Sequence, residues 1–412
     1  MRILYFAPVF PPEQSGGSTH IYELAREWVR LGHSVTVTKG FPCHPHGRIP
    51  EKYRGRWLAL EALDGIDIVY TRTYATPNVG RARRALGYLT GALAPLAANL
   101  GLGRRYDVII GTCPHIFLVL AAFVMGAITR TPYVYEIRDL WPKQIVDLGQ
   151  IRNGLLIGLL EAVHRFLCRR ARAVVTVTRA VRESVVRSGI DPRKVFVVPN
   201  GVDCGFFRPA GPGVRERVRR ELGLEGNFVA AYFGTFGLSQ GLSTVLEAAE
   251  LLREERDVVF VLAGDGAERA RLLAEKERRG LGNVLFLPPQ PRERMPELYA
   301  ASDAGLVPLR RVPLFRQTVP SKMYELLACG VPVVLGVDGE ARSILERSGG
   351  GVFVEPEDPR ALAEALRRLR ASSETRAAMA RAGAAFARSE CDRALLAARF
   401  ARLLAAAARA RV

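Results

Sequence analysis

Lys322 and Glu325 stand one helical turn apart in a segment that opens on Pro320-Ser321 and runs through Ala328-Cys329-Gly330 into Val331 to Leu335. Proline and serine start helices, the free N–H groups of a first turn attract anions, and a lysine there adds a mobile positive charge. A carboxylate one turn further on can accept hydrogen bonds from ribose hydroxyls while phosphates stay at the helix tip. The pattern suits a nucleotide diphosphate. A capped surface helix with an ordinary lysine and glutamate would carry the same residues. After the small-residue stop at Gly330, Val331 to Leu335 reads as a buried strand.

Arg138 and Asp139 follow a predicted strand at Tyr133 to Ile137, the position where α/β folds place reactive groups. Arginine cannot serve as a base, so Arg138 would hold a phosphate or a sugar hydroxyl and leave Asp139 to orient sugar or acceptor. An Arg–Asp pair that fixes the following loop is the competing reading. Gly16-Gly17, ahead of a predicted helix at Ile21 to Leu31, let the backbone approach a phosphate, as a plain flexible turn also could. Glu13 in the same loop is a candidate acceptor contact. Gly264-Asp265-Gly266 and Leu287-Pro288-Pro289-Gln290 end two further strands and on their own are ordinary turns. His44-Pro45-His46 has the look of a metal pair, although two lone imidazoles on a proline turn more often face solvent. With no Asp-x-Asp anywhere in the chain, a metal-bridged diphosphate is not expected.

These groups need a scaffold. Short β-branched runs followed by helical patterns recur at Ile3 to Phe6, Ser34 to Val37, Ile66 to Tyr70, Val108 to Ile110, Tyr133 to Ile137 and Val174 to Val177. They restart at Phe228 to Phe233, Val258 to Ala263, Val284 to Leu287, Gly305 to Val307 and Val331 to Leu335. Such alternation implies α/β architecture: two doubly wound, Rossmann-like domains with parallel sheets, as 412 residues also suggest. Pro199 to Asp203 and Pro209 to Gly213 supply linker chemistry, giving domains at 1–198 and 199–384 and a predicted helix from Ala384 to the C-terminus. Neither half carries Gly-x-Gly-x-x-Gly, which argues against a nicotinamide cofactor.

Composition narrows the partners. Lys and Arg total 59 against 41 Asp and Glu, a formal net charge of +18 that draws in anions. The arginine clusters lack interleaved aromatics, which argues against nucleic acid. Six scattered cysteines and an N-terminus without a long apolar run fit a reduced, cytoplasmic protein. Cys113 to Ile128 is apolar yet shorter than a membrane span and reads as a buried helix. Arg81 to Leu96 and His164 to Arg172, apolar and flanked by arginine, suit peripheral docking on an anionic inner leaflet; packed crossover helices with solvated basic faces would look alike.

Five segments carry a resemblance that spans nearly the whole chain: Pro8-Val-Phe-Pro-Pro-Glu13 with Gly16-Gly17; Tyr135-Glu-Ile-Arg-Asp-Leu-Trp-Pro142; Val198-Pro-Asn-Gly-Val-Asp203; Phe233-Gly-Thr-Phe-Gly-Leu-Ser-Gln-Gly241; and the Val319 to Val334 segment with Lys322 and Glu325. The chain resembles the retaining sugar-nucleotide glycosyltransferases of family 4, in particular bacterial surface-polysaccharide enzymes of the L-fucosamine transferase kind. That resemblance implies the two-domain GT-B arrangement, with acceptor on the first domain, donor mainly on the second, and the C-terminal helix packed back on the first. It implies donor contacts at Gly16, Gly17, Asn200, Gly234, Gln240, Gly264, Pro289, Arg316, Ser321, Lys322 and Glu325, and chemistry around Arg138, Asp139 and Gln317. Three departures stand out. Relatives carry histidine where Arg138 stands, the usual arginine and lysine of the second glycine loop fall at Thr235 and Gln240, and the first of two paired glutamates falls at Gln317. Lys322, with Arg316, would supply the missing positive charge.

The expected reaction moves an N-acetylated hexosamine or deoxyhexosamine from a UDP-sugar to a lipid-linked or saccharide acceptor in O-antigen-like polysaccharide assembly. No cofactor or metal is expected, and the leaving diphosphate itself takes the acceptor proton. Two rivals are a non-hydrolysing sugar-nucleotide 2-epimerase, which needs cleft histidines that the second half lacks, and a non-catalytic nucleotide-sugar-binding partner, which Gln317, Thr235 and Gln240 would favour.

Overall fold

The computed structural model describes residues 1–13, 16–43, 47–75, 81–139 and 153–409, with the backbone alone at 81–85. The chain divides into two compact units, Met1–Asn200 with Arg393–Val412, and Gly201–Asp392.

In the first unit, runs of β-branched and aromatic residues buried on both faces form parallel strands. They are β1 (Arg2–Phe6), β2 (Ser34–Gly40), β3 (Leu58–Leu63), β4 (Ile66–Thr71), β5 (Val108–Cys113), β6 (Tyr133–Ile137), β7 (Ala173–Thr176) and β8 (Val195–Val197). The sheet order is β3-β4-β2-β1-β5-β6-β7-β8. Only β3 runs antiparallel, paired with β4 through Asp64-Gly65 at φ 50° and 78°, a turn whose twist suits a hairpin. Helices α1 (Gly16–Arg30), α2 (Arg81–Gly101), α3 (Ile116–Thr129), α4 (Gly154–Arg170) and α5 (Arg179–Arg187) connect the strands. The order reverses beside β1, so the loops after β1 and β5 diverge and leave a crevice at the strands' carboxyl ends.

The second unit carries β9 (Phe228–Phe233), β10 (Val258–Ala263), β11 (Val284–Leu287), β12 (Ala304–Pro308), β13 (Val333–Gly336) and β14 (Gly351–Phe353) in the order β11-β10-β9-β12-β13-β14, all parallel. Its helices are α6 (Val214–Leu222), α7 (Ser243–Leu251), α8 (Arg269–Arg279), α9 (Met295–Ala301), α10 (Ser321–Ala328), α11 (Glu340–Ser348), α12 (Pro359–Ala371) and α13 (Ser373–Phe386). One apolar layer joins the sheet to α6, α9, α10 and α11, and another joins it to α7, α8 and α12. The order reverses between β9 and β12.

The final helix, α14 (Arg393–Arg409), belongs to the first unit. Leu396, Phe400 and Leu404 are fully buried there. Phe400 meets Trp28 of α1 edge-on at 5.3 Å, and Trp28 Nε1 donates to Ala397 O at 3.0 Å.

The elements differ from expectation at several points. The first helix begins at Gly16, not Ile21, so the two glycines are its first turn. The expected single helix from Ala384 is broken: a π turn at Ala387–Cys391 gives way to extended Asp392 (φ −61°, ψ 130°) before α14 begins. The last strand expected from Val331 starts at Val333, because Gly330 (φ 69°) turns the chain first. Pro209 to Gly213 lies within the second unit as the approach to α6, and Cys113 belongs to β5 rather than α3. His44 and His46 lie outside the described residues, as do Leu140 to Pro142 of the segment Tyr135 to Pro142.

Candidate functional site

In the second unit the carboxyl ends of β9 and β10 and the start of α10 converge. Gly234 follows β9 at φ 139° and Gly264 follows β10 at φ 153°. A Cβ at Gly264 would lie 1.8 Å from Gly234 O, so the two loops touch backbone to backbone and only glycine fits. The same closeness brings Lys322 Nζ to 3.0 Å from where a Gly234 Cβ would be. Lys322 is the second residue of α10, whose N-cap Pro320 offers no side-chain cap; Met323 N donates to Pro320 O at 3.0 Å, and the helix tip at Ser321 and Lys322 suits an anion. The Nζ rests 3.7 Å above the centre of the Tyr232 ring, with no hydrogen bond or ion pair among the described residues. Burial pulls its pKa down to about 7, against the opposing charge of Glu325. An amine without an acidic partner among the described residues, at the tip of a helix beside two bare glycine loops, is suited to be completed by an anion.

Glu325, one turn along α10, accepts from Tyr299 Oη at 2.7 Å, which fixes its carboxylate. Gln240 is tied to the β9 loop: its Oε1 is 3.1 Å from Tyr232 Oη, and its Nε2 donates to Ser239 Oγ at 3.3 Å. Gln317 Oε1 is buried and has no hydrogen-bond partner among the described residues. An orphaned acceptor at such a place asks for a donor from outside the chain. Ser321 is exposed as the first residue of α10, and Pro289 is exposed at the tip of the loop after β11. Arg316 is exposed and its guanidinium pairs with Asp338 at 3.0 Å, whereas Lys322 has no acidic partner among the described residues.

In the first unit, Arg138 and Asp139 follow β6 as expected. They form no ion pair with each other among the described residues, and Arg138 Nε is buried without a partner. Burial raises the Asp139 carboxyl, with the Arg138 charge opposing. Beneath them runs a polar chain that the sequence did not announce. Glu136, on the same side of β6 as Arg138, accepts from Tyr5 Oη and from His20 Nε2, the latter at 3.0 Å. His20 Nδ1 in turn accepts from Arg393 Nη1 at 3.0 Å, and Arg393 Nε donates to Glu23 at 2.9 Å. This order makes His20 the neutral Nε2–H tautomer. Burial, then the Arg138 charge, lowers its pKa to about 4. Burial raises Glu136, but its bonds with His20 and Tyr5 and the Arg138 charge carry it down to about 2.

A cavity of about 340 Å³ opens where β1, β2, β4 and β5 end, with Glu13, Lys39, Thr73, Tyr88 and His115 among its walls. Glu13 forms a buried ion pair with Lys39 and accepts from Cys43 N at 3.0 Å, so it shapes the wall. The His115 ring makes no hydrogen bond among the described residues; it meets Tyr88 edge-on at 5.1 Å, and burial lowers its pKa to about 4. A neutral imidazole with free nitrogens in a polar cavity can bind a hydroxyl. The signal for it was present, since Pro114-His115 directly follows the carboxyl end of β5. Gly16, Gly17 and Asn200 also lie in the first unit, and Asn200 Oδ1 is another buried acceptor without a partner among the described residues.

Comparison with known proteins settles the class. Residues 214–386 match the family model for glycosyl transferases group 1, and residues 15–201 match the glycosyl transferase 4-like domain. The chain is a glycosyltransferase. It is 27% identical over 379 residues to WcaI of Escherichia coli (strain K12), named as a colanic acid biosynthesis glycosyl transferase, covering 89% of this chain and 91% of that one. It is 34% identical over 269 residues to the D-inositol 3-phosphate glycosyltransferase of Geodermatophilus obscurus, covering 59% of this chain and 58% of that one. Among solved structures, Anabaena HepE in complex with UDP aligns with a TM-score of 0.74 at 20% identity over 98% of this chain and all of its own. HepE has also been solved with UDP-glucose. The fold of this glycosyltransferase is thus the GT-B class of two Rossmann-like units. Among its described residues no group of three His, Cys, Asp or Glu side chains could hold a metal ion, and no helix is long and apolar enough to cross a membrane.

Proposed function

We propose that the glycosyltransferase moves a sugar, with retained configuration, from a UDP-sugar to a lipid-linked or saccharide acceptor during assembly of a surface polysaccharide. The observation that carries this is Lys322, a half-buried amine without an acidic partner among the described residues, at the start of α10 beside Gly234 and Gly264. In this reading Lys322, Ser321 and the α10 N–H groups hold the donor diphosphate. Glu325, steadied by Tyr299, takes the ribose, while the Gln240 and Pro289 loops border the nucleoside. Gln317 offers its unpaired amide oxygen to the sugar. Arg138, Asp139 and Asn200 orient the transferred ring, and the cavity with His115 receives the acceptor hydroxyl. Positive charge and oriented amides stabilise the departing diphosphate, which accepts the acceptor's proton and relieves the chain of supplying a strong base. HepE's complexes with UDP and UDP-glucose support the nucleotide, and WcaI's name supports the pathway class. An N-acetylated hexosamine or deoxyhexosamine of the L-fucosamine kind, for an O-antigen-like product, is the finer donor reading that the Pro320-Ser321-Lys322 segment suggests.

The test is nucleotide release from a panel of UDP-, GDP- and dTDP-sugars, with and without a polyprenyl-diphosphate sugar. Acceptor-dependent release of UDP from one donor is expected. Release of GDP or dTDP alone would overturn the nucleotide assignment.

A further inference from the structure

Strand β3 ends the first sheet, and one side of it pairs with no strand among the described residues. The hairpin decides which backbone groups that open side presents. Leu63 faces Ile66 across the two-residue turn Asp64-Gly65, and Trp57 O accepts from Arg72 N at 2.9 Å, so odd-numbered residues from Trp57 to Leu63 spend their N–H and C=O groups on β4. The even-numbered Leu58, Leu60 and Ala62 turn theirs to the open edge. Their side chains share one face of the strand and are all exposed, Leu60 at 51%, while Ala59 and Leu63 on the other face join the core. Trp57, at 75% exposure, adds an aromatic ring at the strand's start, with the Arg72 guanidinium 4.8 Å over it.

Soluble proteins blunt an exposed sheet edge with charges, proline or a bulge. Strand β3 has none of these on its outward face: Leu58, Leu60 and Ala62 are uncharged, and its ladder with β4 runs from Leu58 to Leu63 without a break. The segment is also self-complementary about its middle. In an antiparallel pair centred on Leu60, that leucine meets its own counterpart and Leu58 meets Ala62. The same register brings the basic start of the strand, Arg54 and Arg56, to the acidic end, Asp64 and Asp67. All four charged residues are exposed. Arg54 also pairs with Glu51, Asp64 with Tyr22 and Asp67 with Arg104, so these charges align the strands while the apolar residues between them form the contact.

We propose that β3 docks a second copy of this chain, the two strands pairing antiparallel about Leu60 so that one sheet continues through both copies. In that register even-numbered residues face even-numbered ones, which is the condition for their open N–H and C=O groups to bond. Leu58, Leu60 and Ala62 make the apolar seam on one face, and Trp57 of each copy comes beside Leu63 of the other. Each copy carries a formal +18, but at physiological salt that field is screened beyond about 8 Å, whereas along the seam basic end meets acidic end. The two-fold reverses strand direction, so the crevices at the carboxyl ends of the parallel strands open on opposite edges of the joined sheet. Pairing therefore leaves each copy's donor and acceptor sites as they are, whatever sugar is transferred.

The test is sedimentation velocity of the full chain at physiological ionic strength, with Leu60→Lys, Leu60→Cys and Leu58→Cys beside it. Wild type should dimerise reversibly. Leu60→Lys sets two ammonium groups opposite each other at the two-fold and should raise the dimer Kd at least tenfold, while cooperative unfolding and UDP binding stay as in wild type because Leu60 is exposed and remote from the site. The cysteine variants read the register. Opposed residues of a hydrogen-bonded antiparallel pair have Cα atoms about 5.5 Å apart, within the roughly 4.4–6.8 Å of a disulfide, whereas Leu58 would lie about 14 Å from its counterpart. Mild oxidation should therefore cross-link Leu60→Cys into a dimer and leave Leu58→Cys and wild type uncrosslinked. A wild-type chain still monomeric at about 100 μM would leave the edge to a strand of some other protein and overturn the assignment to a second copy. A dimer that Leu60→Lys leaves intact would place the interface elsewhere and overturn the role of β3. Failure of Leu60→Cys to cross-link faster than Leu58→Cys would overturn the pairing about Leu60.

Discussion

At the scale of single residues, Lys322 is the point where structure and chemistry bear on each other most directly. Its amine is held near pKa 7 because burial strips its water and only Glu325 offsets the loss. A bound diphosphate would favour the charged form, so donor binding should draw a proton onto the protein. The sign is fixed: above pH 7 the free enzyme holds this amine mostly neutral, uptake approaches one proton per site, and affinity falls as pH rises. Below pH 6 the amine is already charged and uptake vanishes. A UDP-sugar has no ionisation of its own on the phosphates in that range, so calorimetry in buffers of different ionisation enthalpy isolates the lysine. Lys322→Ala should abolish the uptake and reduce kcat/KM for the donor at least tenfold, about 1.4 kcal/mol of transition-state stabilisation. Proton uptake that persists in Lys322→Ala would remove this residue from the donor site.

At the scale of elements, the buried chain Tyr5–Glu136–His20–Arg393 joins β1, β6, α1 and α14 into one body. It also makes the first unit sensitive to acid. With the His20 pKa lowered from 6.5 to about 4, the unfolded chain binds more protons than the folded one between those values, and stability falls as pH drops through that window. The shift corresponds to about 3 kcal/mol. Glu136, lowered from 4.5 to about 2, adds a loss of the same sign in a lower window. His20→Gln can still accept from Arg393 and donate to Glu136, yet it does not titrate. His115 and His164, which burial also lowers to about 4, still titrate in that window, so the variant's unfolding free energy, measured by urea titration, should fall less steeply between pH 6.5 and 4.5 than that of wild type. Matching slopes would show that His20 does not set the acid response. None of this chain was legible in the sequence, because its members lie up to 373 positions apart and look ordinary one by one. The strands were legible for the opposite reason: in a parallel sheet covered on both faces each strand is a continuous apolar run. Strand β3 escaped because Leu58 to Leu63 is made of leucine, alanine and glutamate, which favour helix; only Asp64-Gly65 hinted at a hairpin. Lys322 and Glu325 were readable because their function depends on spacing within one helix. For His115 only its place after a strand's carboxyl end was readable; the cavity that gives it a role is assembled from four strand ends.

At the scale of the whole molecule, the two units are built differently along the chain. The second is one continuous segment, Gly201–Asp392, closed on itself where Val202 N donates to Cys391 O at 2.9 Å. The first is assembled from both ends of the chain, and α14 fills its core with Leu396, Phe400 and Leu404. Deleting a buried leucine or phenylalanine side chain typically costs about 2–5 kcal/mol, so losing the whole helix removes more than a domain's usual margin of about 5–15 kcal/mol can spare. A chain that stops at Asp392 should therefore lose the folded first unit, with Trp28 exposed and its fluorescence shifted to the red. The second unit should survive, because it keeps both apolar layers and every residue around Lys322. Its thermal transition should still rise on adding UDP, and residues 201–392 expressed alone should bind UDP within about tenfold of the full chain, a difference of about 1.4 kcal/mol. If the truncated chain keeps a buried Trp28, α14 is an accessory rather than a part of the first core. If residues 201–392 fold but do not bind UDP, nucleotide binding draws on groups of the first unit, and Asn200 with its unpaired oxygen and the Gly16-Gly17 turn are the groups to substitute next.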